Sequence, residues 1–218
     1  MRTRPASLAA VVAALLALAG CAHGLHQLHL RDPLASSVEI VPDGDRAYAT
    51  ADPAGATGRP GEGKVTRPYV VRLTRDATVY RLWAGPDVRD AQGRTSRIGQ
   101  WWTFEAPSGT LASFRRRYEV CEKWDTLRWV ASCTLRRGSV VVIGPGQSVS
   151  ADTCGNPKES YPKNDRDLQV YIKDAWNRAD LVCPDETQDY LNDPRDIATP
   201  YCAGSMRSTD PSCISVQR

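Results

Sequence analysis

The chain has no histidine beyond residue 29. All three lie in "HGLHQLH", as His23, His26 and His29. A folded body without imidazole excludes Ser-His-Asp triads, Cys-His nucleophiles and His-based metal centres. The seven cysteines include no CxxC pair, so neither a zinc site nor a thiol redox motif is expected, and no metal ligand is assigned. Charge of one sign is also missing. Without Arg2 and Arg4 the balance is 26 basic against 25 acidic residues, a formal +1, which carries no nucleic-acid footprint. The one basic cluster, "FRRRY" at 114 to 118, reads as a solvated helix face. "GPGQS" at 144 to 148 lacks the longer glycine spacing and the lysine of a phosphate loop and reads as a turn. No internal repeat is present.

The longest apolar run, Leu8 to Leu18, is shorter than the ~20 residues a membrane-spanning helix needs. It follows the charged Arg2 and Arg4 and ends in Leu18-Ala19-Gly20-Cys21, which resembles the lipobox of bacterial lipoproteins. That resemblance implies a signal peptide over 1–20 and an acylated Cys21 as the mature N-terminus. The protein is then exported and held on a membrane through its lipid. Ala22 lacks the retention character of Asp, so in a Gram-negative host the resemblance implies the outer membrane. Six cysteines remain: Cys121, Cys133, Cys154, Cys183, Cys202 and Cys213. An even number in an exported chain predicts three disulfides with the pairing open.

Residues 21–66 are rich in Ala, Gly, Pro and Asp and are read as a flexible tether whose only apolar stretch is "SVEIV". The three histidines belong to it. Residues 67–182 form the core domain. "YVVRL", "TVYRLWA", "IGQWWTF", "LRWVASCTL", "SVVVIG" and "DLQVYI" carry the β-branched and aromatic content of strands. The last pair but one is joined by an Arg-Arg-Gly turn and reads as a hairpin. Ser108 is placed to cap a helix in which Leu111, Phe114, Tyr118 and Cys121 share a face, and "KDAWNRADLV" reads as a short helix. Residues 183–218 read as a C-terminal extension held by disulfides. The expected fold is α+β, a small mixed sheet with one or two helices.

Chemistry without histidine falls to carboxylates, arginine and amides. Glu105, Glu119, Glu122 and Glu159 are scattered without the signature of a glycosidase pair. Alternation in "TVYRLW" puts Val79, Arg81 and Trp83 on one strand face, with Tyr80 and Leu82 on the other. An arginine there must be paired or face a cleft, because burying a lone guanidinium is costly. Pairing with Asp76 or Glu105 is one alternative.

In order and spacing, three segments resemble the ADP-ribosyltransferase-like fold of bacterial NAD-consuming toxins and NAD glycohydrolases. They are Tyr80-Arg81 on a first strand, Trp101-Trp102-Thr103 on a second and Gln169 on a late strand. The resemblance implies NAD as substrate, with no resident cofactor. It implies catalytic roles for Arg81, Thr103 and Gln169 and NAD contacts for Tyr80, Trp83 and Trp102. Arg81 would hold the diphosphate, Trp83 or Trp102 would pack on nicotinamide, Thr103 would hold the ribose or carboxamide, and Gln169 would orient ribose hydroxyls or water. Tyr171 stands where transferases carry a glutamate, which points to glycohydrolysis, and Glu159 serves as acid only if its loop folds inward. The other reading is a non-enzymatic envelope lipoprotein that binds a protein or glycan partner through a Trp-rich surface.

Overall fold

The computed structural model describes Leu34 and residues 36–184. The signal segment, Cys21, the histidines, Cys202 and Cys213 lie outside the described residues. Eight strands form one sheet: β1 (Val38–Ile40), β2 (Tyr69–Leu73), β3 (Ala77–Trp83), β4 (Trp101–Thr103), β5 (Trp129–Leu135), β6 (Val140–Gly146), β7 (Asn164–Tyr171) and β8 (Leu181–Val182). Their order is β1-β2-β6-β7-β4-β3-β5-β8. Every pairing between these strands is antiparallel, where a mixed sheet was expected. Helices are few and short: α1 (Arg46–Ala51), α2 (Pro53–Ala56), α3 (Leu111–Tyr118) and α4 (Ala151–Cys154). The architecture is a small α+β fold dominated by its antiparallel sheet.

The strands expected from "YVVRL" to "DLQVYI" all form, but β5 and β6 are not a hairpin. β5 pairs with β3 and β8, whereas β6 pairs with β2 and β7. The short turns after β2 and after β5 each carry the chain from one half of the sheet to the other, and they bond to one another. Arg137 donates its N–H to Asp76 at 2.7 Å, Arg136 pairs with Asp76 at 2.9 Å, and Gly138 donates its N–H to the Leu73 carbonyl at 2.8 Å. Crossing at this corner brings one face of each half against the other. Val71, Leu73, Val141, Ile143 and Val170 meet Val79, Trp83, Ala131, Cys133 and Leu135 in the main core. Such burial, at roughly 25 cal/mol per Å² of apolar surface, is the main source of stability.

The other face carries the helices. α3 lays Phe114 and Tyr118 on Leu82 and Val130, and its start is capped by Thr110, whose side chain accepts from the Ser113 N–H at 3.1 Å, rather than by Ser108. The segment read as a tether is ordered from residue 36 onward. β1 joins the sheet edge, and α1 and α2 bury Ala51 and Ala56 with Val41, Val65, Val70 and Val142. Small side chains allow the close approach that a count of large apolar residues misses. "KDAWNRADLV" forms only a 3₁₀ turn, Ala175–Asn177, followed by β8.

Two disulfides are present among the described residues. Cys133 on β5 bonds Cys183 after β8, and Cys121 after α3 bonds Cys154 at the end of α4. They fit an oxidising compartment. No helix among the described residues is long and apolar enough to cross a membrane.

Candidate functional site

The antiparallel register sets Tyr80 opposite Thr103, Thr103 opposite Gln169, and Gln169 opposite Gly144. These residues therefore form one row across β3, β4, β7 and β6, on the face covered by α3. β3 and β4 pair only at Tyr80 and Thr103. Beyond that point the two strands diverge, and a cleft of about 360 Å³ opens beneath the C-terminal end of α3. This is a size suited to a small organic ligand.

Arg81 sits in the fork. Its Nε donates to the Ser96 carbonyl at 2.8 Å, an η nitrogen donates to the Trp101 carbonyl at 2.9 Å, and the other lies 3.8 Å from Asp125. The guanidinium thus gives the Trp101 carbonyl of β4 a donor where β3 no longer pairs with it, and ties in the loop before β4 through Ser96. Burial pulls its pKa down and Asp125 opposes that shift. Asp76 and Glu105, the partners considered from sequence, are instead bonded to Arg136 and Arg117.

Gln169 is buried and donates its amide hydrogens to the Tyr118 carbonyl at 3.0 Å and to Glu119 Oε2 at 2.9 Å. Its own carbonyl oxygen is what it can offer a ligand. Thr103 donates its hydroxyl to the Glu105 carbonyl at 2.7 Å and is also hydrogen-bonded to the Tyr118 phenol, so its oxygen keeps one lone pair to offer as an acceptor. Trp102 lines the cleft but is 1 % exposed, with its indole N–H donated to the Gly99 carbonyl at 2.5 Å.

Tyr80, Arg81, Trp102, Thr103 and Gln169 all line this cleft. Trp83 does not. Strand alternation turns it into the main core at 1 % exposure, against Trp129, so packing on nicotinamide is not open to it. Glu159 is also elsewhere, buried where its carboxylate accepts from the Glu122 N–H at 3.0 Å.

The rest of the wall comes from residues that were not assigned to the site. Tyr118, Glu119, Trp124, Asp125 and Leu127 enter from α3 and the loop after it, and Glu62 and Lys64 from the segment read as a tether. The loop is anchored at three points. Arg115, far from solvated, is buried and donates to the Val120 and Asp125 carbonyls at 3.2 and 2.8 Å. Cys121 is bonded to Cys154, and Glu119 and Leu127 take left-handed φ values of 49° and 56°. The helical spacing of Leu111, Phe114 and Tyr118 was the available signal, since it places the residue after Tyr118 at the buried end of that face.

Glu119 is the most deeply buried of the three carboxyls in the wall, the others being Glu62 and Asp125. Burial pushes its pKa up to about 9, Asp167 adds to the rise, and the Gln169 amide opposes it. Burial likewise raises the Tyr118 phenol. Among the described residues no cluster of three or more His, Cys, Asp and Glu side chains is placed to hold a metal ion. The arrangement offers aromatic walls, two neutral acceptors, the Arg81 guanidinium beside Asp125, Glu62 at the more exposed side and, in Glu119, a buried carboxyl that its surroundings keep protonated at neutral pH. Comparison with protein-family models, curated proteins and solved structures finds no match to this chain.

Proposed function

We propose that the chain is an exported, lipid-anchored NAD glycohydrolase that cleaves the nicotinamide–ribose bond in the cleft beneath α3. The observation that supports this reading is convergence. Tyr80-Arg81, Thr103 and Gln169, from three separate strands, line one aromatic-walled cleft at the point where β3 and β4 part. Two disulfides support export.

Nicotinamide packs against the cleft's aromatic wall, and the ribose lies over the Thr103–Gln169 row. Thr103 Oγ1 and Gln169 Oε1 accept hydrogen bonds from ribose hydroxyls. As the C1′–N bond breaks, its electron pair leaves with nicotinamide, and these fixed dipoles stabilise positive charge developing on the ring. Water adds to C1′ and gives up one proton, completing ADP-ribose. Arg81 keeps the fork open and presents its remaining N–H groups to the diphosphate side.

Incubation of the purified, oxidised protein with NAD, followed by chromatography for nicotinamide, tests the reading. Release is expected, and Gln169→Ala is expected to lower kcat about 100-fold, the scale of losing one preorganised polar contact. No release at millimolar NAD would end the proposal. It would leave the binding-protein reading, for which Trp124, 46 % exposed at the cleft, is the specific support.

A further inference from the structure

We propose that Glu119 is a further catalytic residue of this cleft, the counter-ion for a planar pyridinium cation, and that it releases its proton when that cation binds. The inference rests on the NAD reading for its physiological ligand, but the chemistry it names is that of any flat aromatic cation of this size.

Glu119 is 1 % exposed and lines the cleft. Its Oε2 accepts from Gln169 and the Asn164 backbone N–H stands close to the carboxyl, whereas its Oε1 is buried with no donor in full hydrogen-bond geometry among the described residues. A buried carboxyl left half-satisfied weakens a fold. Glutamine would fill the same volume and remain neutral at every pH. The surroundings are nonetheless shaped around this side chain. A Cβ at residue 146 would lie within 1.7 Å of Glu119 Oε2, so glycine there leaves the space the carboxyl occupies. The backbone of Glu119 also takes a left-handed conformation that is uncommon outside glycine, which places its side chain in the wall.

The charged groups around it are Asp165 and Asp167 on β7, the latter bonded to Arg117, with Asp125, Arg81, Glu62 and Lys64 elsewhere around the cleft. The facing β6 position is Gly146. In the empty cleft, burial and the β7 carboxylates keep Glu119 protonated at neutral pH. A cation entering beside it favours the ionised form, so the proton passes to solvent and a carboxylate remains against the ligand. When the C1′–N bond breaks and water attacks C1′, the carboxylate takes the water's proton and the neutral acid is restored. One proton reaches solvent per turnover, as the stoichiometry of NAD hydrolysis requires.

The test is calorimetry at pH 7.5 in two buffers of different ionisation enthalpy. The probes are N1-methylnicotinamide as the cation, nicotinamide as its neutral counterpart, and NAD. Wild type is expected to release about one proton per cation bound and none with nicotinamide. Glu119→Gln is expected to release none, to bind the cation about tenfold more weakly, and to lose about 100-fold in kcat on NAD. A glutamic acid whose pKa is raised on folding stabilises fully below its unfolded value, and that stability is lost as pH rises towards about 9. Glu119→Gln should therefore unfold at a higher temperature than wild type at pH 8, a gain that loss of a structural contact would not give. Absence of cation-linked proton release in wild type overturns the proposal, whether or not the variant folds. NAD cleavage without that release would sink this inference and leave glycohydrolysis standing. Proton-linked cation binding without NAD cleavage would do the reverse.

Discussion

Arg81 answers the question its position raises. A charged residue in the middle of a core strand is tolerated because it stands where the strand loses its neighbour, and its planar fork reaches two carbonyls and a carboxylate at once. Lysine keeps the charge but not that geometry. Arg81→Lys is expected to lower stability by about 2–4 kcal/mol, the scale of losing charge-assisted hydrogen bonds at a buried site, and thermal unfolding will show it. An unchanged melting temperature would mean that the fork is held by the backbone alone. The need for a partner or a cleft was legible from alternation in "TVYRLW". The identity of the partner was not, because Asp125 is 44 positions away in a loop without periodicity. Trp83 shows the opposite limit. Alternation put it on Arg81's face, but a long flexible side chain can bend into a fork where a rigid indole is confined to the core.

At the scale of elements, strands were the most readable feature, since β-branched runs such as "YVVRL" coincide with β2 at both ends. Their pairing was hidden: the Arg-Arg-Gly turn suits a hairpin by length, and only its bonds to Asp76 reveal a corner between halves. The wall-forming loop after α3 was hidden too. Its shape depends on Arg115, a disulfide and two left-handed residues, none of which produces a hydrophobic pattern. Because Cys121 lies between Glu119 and Trp124, its bond to Cys154 fixes the wall as well as the fold. Replacing both cysteines by serine is expected to cost about 2–5 kcal/mol. It should also raise KM for NAD proportionally more than the pair Cys133 and Cys183 does when replaced in the same way, because that second bridge holds β5 to the chain beyond β8, away from the cleft. Steady-state kinetics on the two double variants makes the comparison. Equal effects would show that the loop keeps its shape without its bridge.

Over the whole molecule, the sheet is one continuous ribbon in strand order, yet it is unevenly joined. β3 and β5 are paired through seven positions, whereas β3 meets β4 at one. Neither disulfide spans that junction: one ties β5 to the chain after β8, the other ties the loop after α3 to α4. The sheet therefore carries a seam where its ladder is thinnest, and what holds the two sides there is packing across its faces, the main core on one side and α3 on the other. Native-state hydrogen exchange should find the β4 amides exchanging through an opening of lower free energy than those of β5 and β6, and a ligand seated in the cleft should slow them most. Uniform exchange across β4, β5 and β6 would show a single cooperative unit instead. A gap in the ladder that opens onto the binding site makes occupancy itself a rivet: whatever fills the cleft also reinforces the most sparsely paired junction of the sheet.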